Sequence, residues 1–381
     1  MSEMKGMVIK IGNLNFTVPC LFGLEGLAAD ELKRLGMKDV TAENGRVLFI
    51  GSEADMAKAN INLRTGERVL LNIGKTDADS FDMLFEGVRK MPWENFISEG
   101  GEFPVKGHSL GSKLHSIPDC QKIIKKAIVE RLKGKYNVEW LSESDDVKYQ
   151  VQFAITNDIA ALYIDTSGAG LHKRGYRLAG NAAPLRETLA AAIVKLSRYR
   201  GKEPVADPFC GSGTIAIEAA LAALNRAPGL NRSFAAQKWD WPDSEIWEAA
   251  IQEAKSREFS GEYDIWGGDI DPQNIKIAKA NAKRAGVLEH VRFETAEAAD
   301  FAREQNGGII MANPPYGERV MLQNEAEAVY KSFGKAAKKL ENWKMYMLSS
   351  HADFERFFGK TATKKRKLYN GMIKCDLFMY F

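Results

Sequence analysis

Cysteine and histidine are scarce in this chain, and no long apolar run occurs. Its 381 residues contain four cysteines, Cys20, Cys120, Cys210 and Cys375, spread so widely that no C-x-x-C pair exists. That spacing excludes a thiolate zinc cluster and a disulfide framework, and isolated thiols suit a reducing cytoplasm. The five histidines form no H-E-x-x-H, so a zincin-type centre is excluded and no metal is expected. No segment approaches the ~18 consecutive apolar residues of a membrane span. The N-terminus, MSEMKGMVIKIGNLNF, lacks the apolar core and small-residue cleavage site of a secretory signal. A cytoplasmic protein without membrane association is expected. What is present is ordinary: 45% hydrophobic and 27% charged residues match a globular average and exclude disorder or a coiled coil for the whole chain. The length fits two or three domains at roughly 100–200 residues each.

The net charge of +3 conceals an asymmetry. Residues 1–166 carry 21 Lys and Arg against 24 Asp and Glu, whereas 167–381 carry 32 against 26. The acidic first part still contains a basic stretch, with eight Lys or Arg and two acids over residues 106–135. A local stripe matters more than a total when the partner is a polyanion.

Short strands and helices alternate through the first 165 residues, which read as two small α+β units. Strand-like Asn15–Pro19 precedes a helical pattern over Leu24–Leu35 that stops at Gly36, and Arg46–Ile50 is again extended. Short helices over Ala54–Asn62 and Phe81–Lys90 flank a strand at Arg68–Ile73. A strand at Glu102–Lys106 then leads to a Gly/Ser/His loop and a helix over 119–133, ended by Gly134. Its apolar face is Ile123, Ile124, Ala127, Ile128 and Leu132; Lys122, Lys125, Lys126 and Lys133 lie on the other. Strands at Val147–Ala154 and Ile159–Asp165 close the part, and the glycine-rich break Ser167–Gly170 marks the main boundary.

Beyond the break the alternation lengthens. A helix at Leu185–Leu196, strands at Pro204–Ala206, Tyr263–Trp266, Val291–Thr295 and Gly308–Ala312, and helices at Thr214–Leu224 and up to Ala285 imply a parallel, doubly wound sheet. Residues 225–262, rich in Trp, Arg and Ser, read as an insertion with its own helix. Ligands of such sheets bind beyond the carboxyl ends of the strands. The three most unusual segments, 207–213, 267–272 and 313–316, all follow strands and should converge in one crevice.

Asp207-Pro208-Phe209-Cys210-Gly211-Ser212-Gly213 forms a strand-to-helix turn, in which glycine permits positive φ and close approach of a ligand. Gly211-x-Gly213-x-x-Ala216 also satisfies a loose dinucleotide fingerprint. Asp269, with Ile270 beside it, ends the next strand, where a carboxylate can take two ribose hydroxyls. In NAD proteins that acid sits about 20 residues after the glycines; here it is 56 beyond Gly213, which weighs against NAD. Asp271 precedes Pro272 and suits a helix N-cap as well as a ligand contact. Glu297 and Asp300 follow the third strand and can reach an adenine amino group or stay in solvent.

Asn313-Pro314-Pro315-Tyr316 follows the apolar strand Ile309–Ala312. Two prolines remove two backbone donors and stiffen the turn. The Asn313 side-chain oxygen and the Pro314 carbonyl then make two acceptors for the two hydrogens of an –NH2 group, and Tyr316 offers a flat face for a base. An exocyclic amine is a poor nucleophile because its lone pair is delocalised into the ring; holding both hydrogens out of plane localises it. On this reading the ring of Tyr316 is what counts, and Tyr316→Phe is expected to be nearly silent.

Together, Asp207–Thr214, Gly268–Pro272 and Asn313–Tyr316 resemble, in order and strand placement, the successive motifs of an amino-directed class I methyltransferase that uses S-adenosylmethionine. Leu171–Arg177 followed by Ala183–Leu189 resembles the lead-in segment of THUMP-containing RNA methyltransferases related to the bacterial 23S rRNA guanine-N2 enzymes. Phe103–Lys106 through the helix at 119–133 is similar to the second half of a THUMP domain. The resemblance implies an α/β protein: a ferredoxin-like region over 1–60, a THUMP RNA-binding domain over 61–166 and a Rossmann-like catalytic domain over 167–381. That last domain would hold a mostly parallel sheet ending in an antiparallel hairpin, which the Asn370-Gly371 turn signal fits. The family includes longer fused enzymes with a second methyltransferase domain, for which this chain ends too early.

The resemblance further implies S-adenosylmethionine held by Asp207, Phe209, Gly211, Ser212, Gly213, Thr188, Asp269, Ile270, Glu297 and Asp300, and chemistry at Asn313, Pro314, Pro315 and Tyr316. The partner it implies is RNA, 23S rRNA or a ribosomal assembly intermediate, contacted by Lys122, Lys125, Lys126 and Arg174. The expected reaction is methylation of an exocyclic amine, guanine N2 of 23S rRNA first and adenine N6 in DNA or RNA second. A nicotinamide dehydrogenase leaves Asn313–Tyr316 unexplained, and a non-catalytic RNA-binding assembly factor leaves the motifs without a use. Lys364–Lys367 suit a phosphate clamp or a solvated face equally.

Overall fold

The computed structural model describes residues 13–177, 185–316 and 322–381. In the first part the order is β1 (Leu14–Pro19), α1 (Glu25–Arg34), β2 (Lys38–Glu43), β3 (Arg46–Gly51), α2 (Glu53–Asn62), β4 (Leu70–Asp77) and α3 (Phe81–Lys90). There follow β5 (Gly101–Glu102), β6 (Val105–Leu110), α4 (Ile117–Tyr136), β7 (Ser144–Lys148), β8 (Val151–Thr156) and β9 (Ile159–Asp165). One seven-stranded sheet, ordered β2-β3-β1-β4-β9-β8-β6, spans both expected α+β units, and β5 pairs with β7 in a separate two-stranded sheet. Alternation explains its covered face: Leu14, Phe16 and Val18 of β1 join Val151, Phe153 and Ile155 of β8 in one core.

Several boundaries differ from the sequence expectation. The Gly/Ser/His stretch after Val105 is strand, because β6 pairs in parallel with β8, His108 opposite Ala154. Gly107 permits that approach: a Cβ there would lie 2.2 Å from the Phe153 carbonyl oxygen. Helix α4 runs past Gly134 and ends at Asn137, whose left-handed backbone (φ 55°) closes it. The break at 167–170 is firmly fastened. Asp165 accepts from the Ser167 and Gly168 amides, and Arg232, from the insertion, donates to the carbonyls of Ser167, Ala169, Gly170 and Lys173.

The second part comprises α5 (Glu187–Leu196), β10 (Val205–Asp207), α6 (Thr214–Ala223), α7 (Ser244–Ser256), β11 (Ile265–Asp269), α8 (Pro272–Ala285) and β12 (Arg292–Thr295). After these come β13 (Gly308–Ala312), α9 (Gln323–Ala337), β14 (Trp343–Ser349), α10 (Phe354–Phe358), β15 (Lys364–Asn370) and β16 (Ile373–Tyr380). Its sheet is ordered β12-β11-β10-β13-β14-β16-β15, parallel up to β14 and antiparallel in the closing hairpin. Strand order reverses beside β10, and the crevice opens at that switch point. Helix α6 lacks a polar side because it is buried all round.

The insertion packs on the first part. Trp239 and Trp241 donate through their indole N–H to the Lys148 and Phe96 carbonyls, Trp247 joins the first core, and Lys58 pairs with Glu253 at 2.9 Å. Among the described residues no helix is long and apolar enough to cross a membrane.

Candidate active site

Beyond the carboxyl ends of β10, β11 and β13 lies a cavity of about 760 Å³, lined by all three of the segments singled out in the sequence. They are tied to one another. The Cys210 amide donates to the Gly268 carbonyl at 2.8 Å, and the Gly211 amide donates to Asp269 Oδ2 at 3.0 Å. Asp269 Oδ1 accepts from the Asp271 amide (2.9 Å) and Asn274 Nδ2 (3.0 Å). Three donors aim this carboxylate, and its oxygens keep acceptor sites for a ligand. Asp271 caps α8 by accepting from the Gln273 amide and also lines the cavity, so both of its expected uses are compatible.

Gly211 has φ 51°, and a Cβ added there would meet nothing within 4 Å. Its open side is therefore where a ligand can press against backbone. Asp207 lies wholly buried beneath this turn. Burial, aided by the charge of Asp269 and opposed by the Phe209 amide that it accepts, pushes its carboxyl up to about 8. The same burial, with Asp207 and Asp269 nearby, pushes the Cys210 thiol well up, so it stays protonated. Phe209 is wedged edge-on against Phe333 of α9, ring centres 5.2 Å apart. Ile270, 68% exposed, stands at the cavity rim.

At the end of β13, Asn313, Pro314, Pro315 and Tyr316 form the opposite wall. The Tyr316 hydroxyl donates to Asn313 Oδ1, and the Tyr330 hydroxyl, from α9, donates to the Pro315 carbonyl. Burial pushes the Tyr330 phenol up to about 12 and the Tyr316 phenol well above its ordinary value. Both are donors at neutral pH. Cofactor-type and amine-type residues thus face one space, which is the arrangement of a group transfer between two bound molecules. Residues 174–378 match a family model described as RMKL-like, methyltransferase domain.

The chain belongs to the RMKL-like methyltransferases. Residues 15–70 match the RlmL ferredoxin-like domain and 78–165 a THUMP domain. The chain is 43% identical to YpsC of Bacillus subtilis, named as a candidate RNA methyltransferase, over 94% of both chains. It is 34% identical to the ribosomal RNA large subunit methyltransferase K/L of Shewanella baltica, over 96% of this chain and 53% of that enzyme. The chain thus spans about half the length of that relative. Among solved structures, a predicted N6-adenine-specific DNA methylase from Listeria monocytogenes is 43% identical (TM-score 0.92, 97% of this chain and 96% of that one). SMU.472, a candidate methyltransferase in complex with S-adenosylhomocysteine, is 38% identical (TM-score 0.92, 97% and 98%). S-adenosylmethionine is the cofactor of this RMKL-like enzyme, and the open side of the Gly211 backbone beside an aimed Asp269 carboxylate fits it.

The placement of four expected residues is different. Gly213 does not line the cavity; at φ 83° a Cβ there would lie 3.0 Å from Ala278 and from the Phe293 ring, so its work is close packing of α6 on α8. Thr188 is buried and donates to Glu67 Oε1 across the junction of the two parts. Asp300 is exposed and outside the lining, whereas Glu297 belongs to it. Arg174 cannot meet RNA: it is 2% exposed, 3.4 Å from Glu218 and bonded to the carbonyls of Leu63, Arg64 and Leu171. A buried guanidinium needs such a full set of acceptors. On α4, Lys122 and Lys126 are exposed, Lys122 3.9 Å from Asp119, while Lys125 is held closely by Glu143 at 2.7 Å.

Sequence reasoning missed other residues. Arg177 donates to Glu187 (2.8 Å), Ser212 Oγ (3.0 Å), Thr214 Oγ1 (3.0 Å) and the Leu185 carbonyl (3.1 Å), fixing the glycine turn from behind. It stands in the lead-in segment beside the junction, whose cations suited contact with RNA or cofactor rather than this support of the glycine turn; Ala183 and Pro184 of that segment lie outside the described residues. Arg186, Val329, Ser332, Asn370 and Ile373 also line the cavity.

Proposed function

We propose that this protein methylates an exocyclic amine of an RNA base in the cytoplasm, guanine N2 of 23S rRNA before others. The observation that carries the reading is the convergence of Asn313 and Tyr316 with Asp269 and Gly211 in one cavity. The large-subunit rRNA methyltransferase name of the Shewanella relative and the THUMP match support RNA as substrate. The division into a ferredoxin-like region (1–60), an RNA-engaging domain (61–166) and a catalytic domain (167–381) belongs to the same proposal. So do Lys122 and Lys126 as phosphate contacts.

When bound, S-adenosylmethionine would supply an electrophilic methyl group on a sulfonium, its S–CH3 bond breaking to leave a neutral thioether as the nitrogen takes the methyl. Gly211 would offer backbone to it, the Asp269 carboxylate would accept from its ribose hydroxyls, and Ile270 and Glu297 would line the space for its base. The target base must leave its stack to enter the crevice. Asn313 Oδ1 and the Pro314 carbonyl then take the two amine hydrogens. As the nitrogen commits its lone pair it becomes cationic and more acidic, so both hydrogen bonds strengthen where charge develops. A proton is lost to solvent afterwards, and no strong base is required.

Asn313→Ala should lower turnover on the order of 100-fold or more, as loss of one preorganised group does, with cofactor affinity nearly unchanged. The assay uses 23S rRNA from cells lacking the protein, with nucleosides mapped by mass. Full turnover by the variant would end the amine-transfer reading. N6-methyladenine in place of N2-methylguanine as the missing nucleoside would move the target to adenine.

A further inference from the structure

The closing hairpin carries charge and apolar surface that the proposed chemistry leaves unused. Residues 364–374 hold five cations and no acid. Two of the cations are engaged: Lys365 pairs with Glu355, and Arg366 donates to the Gly23 carbonyl of the first part. Lys364, Lys367 and Lys374 are exposed, and none of them forms an ion pair among the described residues, although Asp376 stands opposite Lys367 in the hairpin. Asn370 pairs with Ile373, so Gly371 and Met372 make a two-residue loop, with Gly371 at the positive φ (67°) that its first position favours. Asn370, Gly371 and Ile373 line the cavity, and Met372, within the same tip, is 99% exposed.

The loop after β1 adjoins this rim. A Cβ on Gly23 would lie 3.2 Å from the Lys367 carbonyl oxygen, so the loop sits directly on the hairpin edge. Beside it Phe22 meets the Tyr369 ring edge-on, centres 6.4 Å apart, yet is 60% exposed. A lone exposed apolar residue needs no explanation; two of them, among open lysines and next to a substrate-sized cavity, form a surface. Lysine is depleted from protein–protein contacts, whereas cations interleaved with aromatic faces are the pattern that holds splayed nucleic acid. A base that enters the cavity also leaves a gap in its stack, and nucleic-acid-binding proteins place apolar side chains, methionine among them, between base steps.

We propose that RNA reaches the cavity across the closing hairpin: Lys364, Lys367 and Lys374 hold its phosphates, Phe22 stacks on a base, and Met372 occupies the gap beside the flipped nucleotide. The inference rests on the RNA-methylation reading above and adds to it the surface along which the substrate lies. It also decides between the two expectations for Lys364–Lys367: the end cations serve as a phosphate clamp, while Lys365 and Arg366 serve the fold.

The test uses the full chain and 23S rRNA purified from cells lacking the protein, with binding measured by filter retention over a salt series and methylation measured at saturating cofactor. Lys367→Glu with Lys374→Glu should weaken RNA binding about tenfold and lower the log–log salt slope by roughly 0.7–0.9 per lost phosphate contact. Phe22→Ala should weaken binding about tenfold with the slope unchanged, the size of one lost base stack, and Phe22→Trp should restore it. Met372→Ser should lower turnover several-fold at saturating RNA, and Met372→Leu should keep the wild-type rate. Cofactor Kd should be unchanged in every variant, which separates these effects from a loosened fold. Wild-type affinity and slope for the double lysine reversal overturn the proposal. So does wild-type behaviour of both Phe22→Ala and Met372→Ser, the outcome expected if the hairpin docks a protein instead. Asn313→Ala, assayed alongside, should bind RNA normally and fail to turn over. If it is inactive while the hairpin variants are silent, only the RNA surface falls; if it is fully active while the hairpin variants lose RNA, the amine-transfer reading falls and the surface stands.

Discussion

Asp269 at the end of β11 and Lys125 on α4 are both charged groups that the sequence marks for a polar partner, and the molecule treats them in opposite ways. Asp269 is oriented by the Gly211 amide, the Asp271 amide and Asn274, all of which aim it into the cavity. Lys125 is drawn onto Glu143, over the Phe103 ring. The bonds on Asp269 prepare a group for a ligand, whereas the bond on Lys125 spends one on the protein itself. The crevice is therefore sensitive to single atoms, and the helix face to the number of open cations.

The largest effect that would sharpen this contrast concerns Asp207, buried under the crevice. Burial pushes its carboxyl up to about 8 in the folded protein, against ~3.9 when unfolded. Below pH ~4 both states hold the proton. Between there and about 8 unfolding releases it, so stability falls as pH rises, and above about 8 the loss is complete. Asp207→Asn keeps an oxygen for the Phe209 amide and cannot ionise. Its stability relative to the parent should rise across that window, by up to several kcal/mol. Urea midpoints of the cofactor-free proteins at pH 5 and 8 measure this, and a difference that stays constant between them rules it out.

Smaller is Asp269→Ala, which should weaken S-adenosylmethionine binding by about 1–3 kcal/mol, the scale of charge-assisted hydrogen bonds. Calorimetric titration gives the number, and unchanged affinity in a folded variant would remove Asp269 from the site. The smallest effect belongs to α4. Reversing Lys122 and Lys126 to Glu should weaken RNA binding several-fold and reduce its log–log salt slope by roughly 0.7–0.9 per lost phosphate contact. Lys125→Glu, whose cation pairs with Glu143 at 2.7 Å, should change the slope less than Lys122→Glu, whose cation lies 3.9 Å from Asp119. Equal slopes for all three substitutions would erase the distinction between tightly and loosely held cations.

The same contrast governs what could be read beforehand. The strand-end motifs were legible because a parallel sheet brings the ends of β10, β11 and β13 together whatever the loops do. Asn370 and Val329 carried no such signal. The Asn370-Gly371 turn was visible as a turn, but its seat against the cavity depends on β16 pairing with β14. Arg174 misled because charge in a sequence says nothing of burial. Residues 225–262 were visible as an insertion, while the side on which Trp239 and Trp247 pack was not.

The sequence by itself determined the local chemistry: a glycine turn after one strand, an acid after the next, and two prolines flanked by amide and phenol after a third. These follow from dihedral freedom, donor and acceptor count, and period, all of which are local. Only the tertiary structure decided that burial raises the Asp207 carboxyl, that Gly213 packs rather than binds, that Thr188 and Arg174 tie the two parts together, and that Tyr316 engages its hydroxyl. Each of those depends on which distant group lies within hydrogen-bonding or van der Waals reach, and on how much water is excluded there, and neither quantity is written in the neighbouring residues.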